Sequence, residues 1–167
     1  EAFYQMPYGG AKGYHSKTLA YSIWHIFMIE DIVAHSLIQN DEQIFFSGGY
    51  QEKMGTKRIT TGNELKGEQI ADFSKELDVP VLYEYAEAVM QSTNALLQKL
   101  DYRDMHRKFE EADKERLIES ECVGREEEAN WLITYWCGKN VLGLIKMPFC
   151  RHWIMHMGGM QRIKNRL

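Results

Sequence analysis

The final segment, residues 148–167 (PFCRHWIMHMGGMQRIKNRL), carries two histidines four residues apart, His152 and His156. On a helix this spacing stacks two imidazoles on one side, where both can reach a single divalent ion. At about 100° per residue, Phe149, Trp153, His156, Met160, Ile163 and Leu167 form one stripe, with Arg151, Gly158, Arg162 and Asn165 opposite. His156 then lies mid-face and His152 at its edge. Buried imidazoles are costly unless their nitrogens find partners, and a metal ion is one such partner. Hydrogen-bonded core histidines, or surface ones, fit the same spacing. A second segment, SIWHIFMIE at 22–30, holds His25 and Glu30. His25 falls on a flank of its helix beside Ser22, Ile29 and Ser36, while Glu30 lands within the apolar face. A carboxylate there needs a cation or donors. Glu30 is thus the candidate catalytic group, to pair with an Arg, orient a ligand histidine or act as a general base.

Other metal and phosphate motifs are absent. Trp153 stands where a His-Glu-x-x-His zinc protease needs its glutamate, and no Glu-x-x-His exists to build a di-iron bundle. There is no cysteine knuckle, no EF-hand loop and no Gly-rich phosphate loop; the glycines at 9–10, 48–49 and 158–159 lack the context. His15 and His106 are expected to be solvated, and His35 to form a surface pair with Asp31. Trp24 and Trp153 read as core filler.

The elements that must position these residues read as helices throughout. Residues 1–14, with Pro7 and three glycines, read as loop. Ser16 is a candidate cap for a helix running to about Asn40, with Leu19, Ile23, Ile26, Phe27, Val33, Ala34 and Leu37 on one face. Residues 41–63 read as a long loop and candidate cover, followed by a short helix near 65–77. Asp78 and Pro80 start the next long helix, striped by Val81, Tyr85, Ala88, Val89, Ser92, Leu96 and Leu100. Charged residues 101–121 read as exposed helix. An aromatic-rich helix spans 125–146, and Pro148 separates it from the last. No β-alternation or repeat is visible, so the expected class is all-α: a single helical bundle domain over 1–167.

The chain has 167 residues and a formal net charge of −4. Its acids and bases are interleaved, as in Arg103, Lys108, Lys114 and Arg116 among Glu110, Glu111 and Glu115. That argues against gripping nucleic acid, which needs a basic surplus. No apolar run reaches the length of a membrane span. Cys122, Cys137 and Cys150 are odd in number and widely spaced, which points to a reducing, cytoplasmic setting rather than a disulfide scaffold. The chain begins at Glu1 with neither Met nor a secretory leader, so the natural start is expected to be missing or trimmed.

Taken together, His25-Ile26 with Glu30, and His152, His156 with Gly158, resemble the DinB-like family of metal-binding four-helix bundles. Its members take one ligand histidine from an early helix and two from a His-x-x-x-His pair on a late one. That family often carries glutamine where this chain has Gly159, and a further helix ahead of the one bearing His25. The resemblance implies a four-helix bundle with additional short helices and a three-histidine site for one divalent ion, Zn²⁺ or Ni²⁺. It further implies a small-molecule substrate, a homodimer, and thiol-dependent S-transfer with a low-molecular-weight thiol as co-substrate. An open metal position could equally lower the pKa of water toward about 7 for hydrolysis. A stress-associated, non-catalytic metal-binding bundle is the third alternative, marked by a saturated site with a fourth protein ligand and no cavity.

Overall fold

Thr18, not Ser16, begins the helix that carries His25. In the computed structural model, which describes residues 1–167, the Thr18 hydroxyl accepts the Tyr21 N–H at 2.9 Å, while Ser16 donates to the Gly13 carbonyl. Helix α1 (Leu19–Asp31) follows and runs on unbroken into a wider π-helical segment, Ile32–Gln39. Asn40, at φ 59°, ends it in the left-handed conformation that its short polar side chain tolerates. The sequence predicts one buried face here. Instead every residue from Ala20 to Ile38 is buried. A helix enclosed on all sides belongs at the centre of a bundle, so the flank expected for His25 is core as well.

Around α1 pack α4 (Glu68–Glu76), α5 (Val79–Lys99) and α10 (His152–Lys164). Asp78 caps α5 by accepting the Val81 N–H at 3.1 Å, and Pro80 sits in the first turn, where its missing N–H costs nothing. This helix buries Leu82, Tyr85, Ala86, Val89, Thr93 and Leu96, close to the stripe the sequence predicts. Residues 41–63 are not all loop: α2 (Ile44–Ser47) and α3 (Tyr50–Met54) occupy their first half. The charged stretch forms α6 (Tyr102–His106) and α7 (Glu111–Glu119). It does more than meet water, since Arg107 and Arg116 donate to the carbonyls of Ile38 (2.6 Å) and Ser36 (3.1 Å). Those are carbonyls near the C-terminal end of the π segment, where the helix cannot satisfy its own acceptors.

The aromatic-rich stretch is two helices, α8 (Glu127–Cys137) and α9 (Val141–Lys146). Asn140 starts the second by accepting the Gly143 N–H at 2.9 Å. Pro148, in contrast, separates nothing. A π-helical turn, Met147–Arg151, joins α9 directly to α10. Proline lacks the amide proton and crowds the preceding turn, and the wider π spacing accommodates both. The architecture is an all-α bundle of four longer helices (α1, α5, α8 and α10) with short helices between them. Its only β pairing is an isolated bridge between Lys108 and Asn140. No helix is long and apolar enough to cross a membrane. The three cysteines are free, with Cys122 buried and Cys150 exposed.

The pair expected at the surface, Asp31 with His35, is also in the core, at 0% and 4% exposure. Asp31 accepts the backbone N–H groups of Ile44 and Phe45 and the Tyr85 hydroxyl, each at 2.9 Å. One carboxylate thereby ties α1 to α2 and α5. His35 lies between Asp41 (2.7 Å) and Ser92 (3.0 Å). Asp31→Ala leaves the Ile44 and Phe45 amides without an acceptor and the Tyr85 hydroxyl with the longer contact to the Phe27 carbonyl (3.4 Å). It should lower stability by about 2 kcal/mol, read as a drop in the urea midpoint. An unchanged midpoint would show that the carboxylate is not the tie described.

Candidate metal centre

The side chain of His25 points into the interior because its helix has no exposed side. Its Nδ1–H donates to the Thr61 carbonyl at 2.8 Å, which fixes the proton on Nδ1 and leaves a lone pair on Nε2. The accepting loop is pinned by two neighbours on α1: Trp24 Nε1 donates to the Thr60 carbonyl (3.1 Å) and the Tyr21 hydroxyl to that of Gly62 (2.9 Å). Three consecutive carbonyls, 60 to 62, are thus held by donors from one turn of α1. The Tyr21 ring also stacks on His25, 5.6 Å between centroids and 9° from parallel.

From the other side α10 presents His152 and His156. The face it buries is His152, His156, Gly159 and Ile163, so the predicted stripe is turned toward His152, and Leu167 is exposed. His152 Nε2 lies 3.2 Å from His25 Nε2. The ring of His156 is 4.7 Å from that of His25 and 4.5 Å from that of His152, and Tyr14 meets it edge-on at 4.8 Å. One nitrogen from each histidine falls in a set whose members all lie within 4.8 Å of one another, and no fourth His, Cys, Asp or Glu joins them. The Tyr14 contact depends on Gly159. A Cβ there would stand 2.8 Å from the Tyr14 carbonyl oxygen, a contact with backbone that cannot swing away. The N-terminal segment expected as a mere loop therefore straps α10 at the site.

The donor chemistry fits a cation. Burial, reinforced by the neighbouring His152 and by the Lys17 charge, pushes His25 down to about 3 despite the opposing Thr61 hydrogen bond. Burial alone takes His152 to about 4, and His156 is also lowered, by burial first and then by the other two rings. All three are neutral imidazoles at pH 7, the state a metal ligand needs. Nδ1 of both His152 and His156 is buried without a hydrogen-bond partner. An ion taken by one nitrogen of each ring would lower the cost of crowding three imidazoles in a dry core, although with Nε2 as its ligand atom His152 keeps Nδ1 without a partner. The 3.2 Å between the Nε2 atoms of His25 and His152 already matches the roughly 3.3 Å between two ligands each about 2.0 Å from one tetrahedral ion.

The three rings border a cavity of about 240 Å³ whose opposite wall is Trp131, Leu132, Tyr135 and Trp136 of α8. Glu30 does not line it. Its carboxylate accepts Trp153 Nε1–H at 2.7 Å, and burial holds its pKa above the usual carboxylate range. From α1 it anchors the α10 residue next to His152. His15 is half-buried against Tyr8, and His106 is exposed on α6. Tyr14 and the α8 wall were not foreseen as parts of a site, whereas the 41–63 stretch expected to cover one supplies the Thr61 carbonyl and Asn63. Thr61 acts through its backbone, which its residue type does not advertise. Compared with protein-family models, with curated proteins and with solved structures, the chain finds no match.

One outcome concerns the stability of the metal-free protein and a second its affinity for metal. Each histidine has a folded pKa below its unfolded value of 6.5, so the unfolded chain binds more protons below that pH. Stability should be constant above about pH 6.5 and fall toward pH 4, by up to about 1.4 kcal/mol per pH unit per histidine. Urea midpoints across this range should show the slope, and it should be shallower in His156→Gln. Gly62, at φ +78° with a would-be Cβ 2.9 Å from the Tyr21 ring, cannot take a side chain without moving the loop. Gly62→Ala should therefore free His25 Nδ1 and weaken metal affinity about tenfold, measured by competition with a chromogenic chelator.

Proposed function

We propose that the chain is a DinB-like metal-dependent enzyme in which His25, His152 and His156 hold one divalent ion, Zn²⁺ or Ni²⁺, for thiol-dependent S-transfer. The observation that carries this is the convergence of three neutral imidazoles at the edge of a cavity, with no fourth protein ligand. A saturated site without a cavity would have favoured a structural role. A divalent ion held there supplies a Lewis acid that lowers the pKa of a thiol or a water reaching its open position.

The chain's own residues prepare that position. Thr61 keeps the His25 proton on Nδ1, so Nε2 is free to ligate. Burial keeps His152 and His156 unprotonated, so no proton competes for the ligand positions. Trp131, Tyr135 and Trp136 give the same cavity an aromatic lining. The choice of thiol over water rests on what the wall lacks. No carboxylate lines the cavity, and no histidine beyond the three, so no protein base stands ready to take a proton from water. A thiol, with an ordinary pKa of about 8.5, would be deprotonated outright by a divalent cation, whereas water, brought only to about 7, would stay about half protonated without a base.

Protein purified without a histidine tag should contain about one equivalent of metal per chain. In His152→Ala and His156→Ala the content should fall sharply, while circular dichroism keeps its helical form. Thiol consumption with a panel of electrophiles should stop on chelation and return with the metal. Full occupancy in both variants would remove the centre; a metal-loaded protein inert toward every thiol but able to cleave esters would replace S-transfer with hydrolysis.

A further inference from the structure

Apart from its three histidines the cavity wall carries no ionisable group except two tyrosine hydroxyls. No Lys, Arg, Asp or Glu lines it, and its apolar members include Trp131, Trp136, Met147 and Met155. Two nearby ammonium groups are turned onto aromatic faces instead: Lys17 Nζ sits 4.9 Å from the Tyr21 centroid and Lys139 Nζ 4.1 Å from that of Tyr135. Of the two α8 tryptophans at the cavity, Trp136 is buried and Trp131 stays 50% exposed. Its indole N–H is spent on the Glu128 carbonyl at 3.0 Å, so the ring faces are what it offers a ligand. One amide shares the wall. Asn63 accepts the Thr61 hydroxyl on Oδ1 at 2.9 Å, which leaves its NH2 group to donate.

We propose that this cavity binds a small uncharged molecule with a flat apolar body and one hydrogen-bond acceptor. The body lies between the α8 rings and the histidines, and the acceptor takes the Asn63 amide proton. The volume, about 240 Å³, falls below the roughly 300–1,000 Å³ of drug-sized sites, so one ring with a short substituent fills it. In the metal-free protein a carboxylate or ammonium pressed against this wall would lose its hydration with no opposite charge there to replace it. Aromatic faces and a single placed donor are what recognise the neutral molecule. The inference names the substrate class of the proposed enzyme and rests on that proposal for the chemistry, but not for the binding.

Calorimetric titration with benzamide, benzoate and benzylamine tests it, on the protein as purified and after removal of metal by chelator. Metal content and circular dichroism are recorded alongside. Benzamide should bind both forms, and the metal-free form should prefer it at least tenfold over the two ions. Asn63→Ala should weaken benzamide about fivefold, the loss of one hydrogen bond, and leave toluene unchanged. Trp131→Ala, at a half-exposed position where the fold is not at stake, should weaken benzamide and toluene alike. Benzoate bound by the metal-free form as tightly as benzamide overturns the proposal, as does benzamide binding that needs the metal. Loss of toluene together with benzamide in a folded Asn63→Ala overturns the acceptor assignment. A protein that holds no metal yet keeps the benzamide preference sinks the metal centre alone.

Discussion

Imidazoles are tolerated in a dry core only when something takes their nitrogens. Around α1 that requirement is met in full for one ring and left open for two. His25 has the Thr61 carbonyl behind it, and that carbonyl is held because Tyr21 and Trp24 grip the residues on either side. His152 and His156 have no such backing and leave Nδ1 atoms unpartnered. A well-held ring faces two that have mainly one another. The cluster is thus backed by a hydrogen bond where it meets the central helix and unbacked where it meets α10.

The same constraint governs the other polar residues of α1, since a helix buried all round must find a partner for each of them. Thr18 pairs with Ser74 of α4 at 2.6 Å. Glu30 reaches Trp153, and its neighbour Asp31 takes two backbone amides of α2 and a tyrosine of α5. These contacts lead outward to different elements, so the polar groups of the central helix specify which element lies on which side. Apolar packing alone, being non-directional, would leave the rotation of α1 about its own axis far less determined. That rotation decides where His25 points.

How far this was legible in the sequence follows from the same residues. The His152–His156 pair declared itself by spacing, and α5 by Asp78 and Pro80, because caps and periodicity are local signals. The full burial of α1 did not, since His25, Asp31 and His35 look like exposed polar positions, and Glu30 like a carboxylate stranded on the apolar face, until their partners are known. Those partners are distant in the chain: Thr61, Trp153, Tyr85 and Ser92. Pro148 looked like a boundary because the π turn that absorbs it has no sequence signature. Gly159, which stands where the resembled family often carries glutamine, becomes intelligible only once the Tyr14 backbone is seen crossing over it.

The make-up of the donor set has an electrostatic consequence. Three imidazoles are neutral ligands, and no carboxylate or thiolate accompanies them. A dication among them would keep its whole charge, in surroundings whose low polarity weakens screening. Each anionic ligand in such a set would offset part of that charge and blunt its pull on the proton of an incoming thiol or water. Burial that keeps the histidines unprotonated and walls that exclude fixed charge therefore act in one direction, concentrating the field on whatever small molecule enters. Lys17 and Lys139 are turned onto tyrosine faces and neither lines the cavity, yet the Lys17 charge still reaches His25 and opposes a proton there.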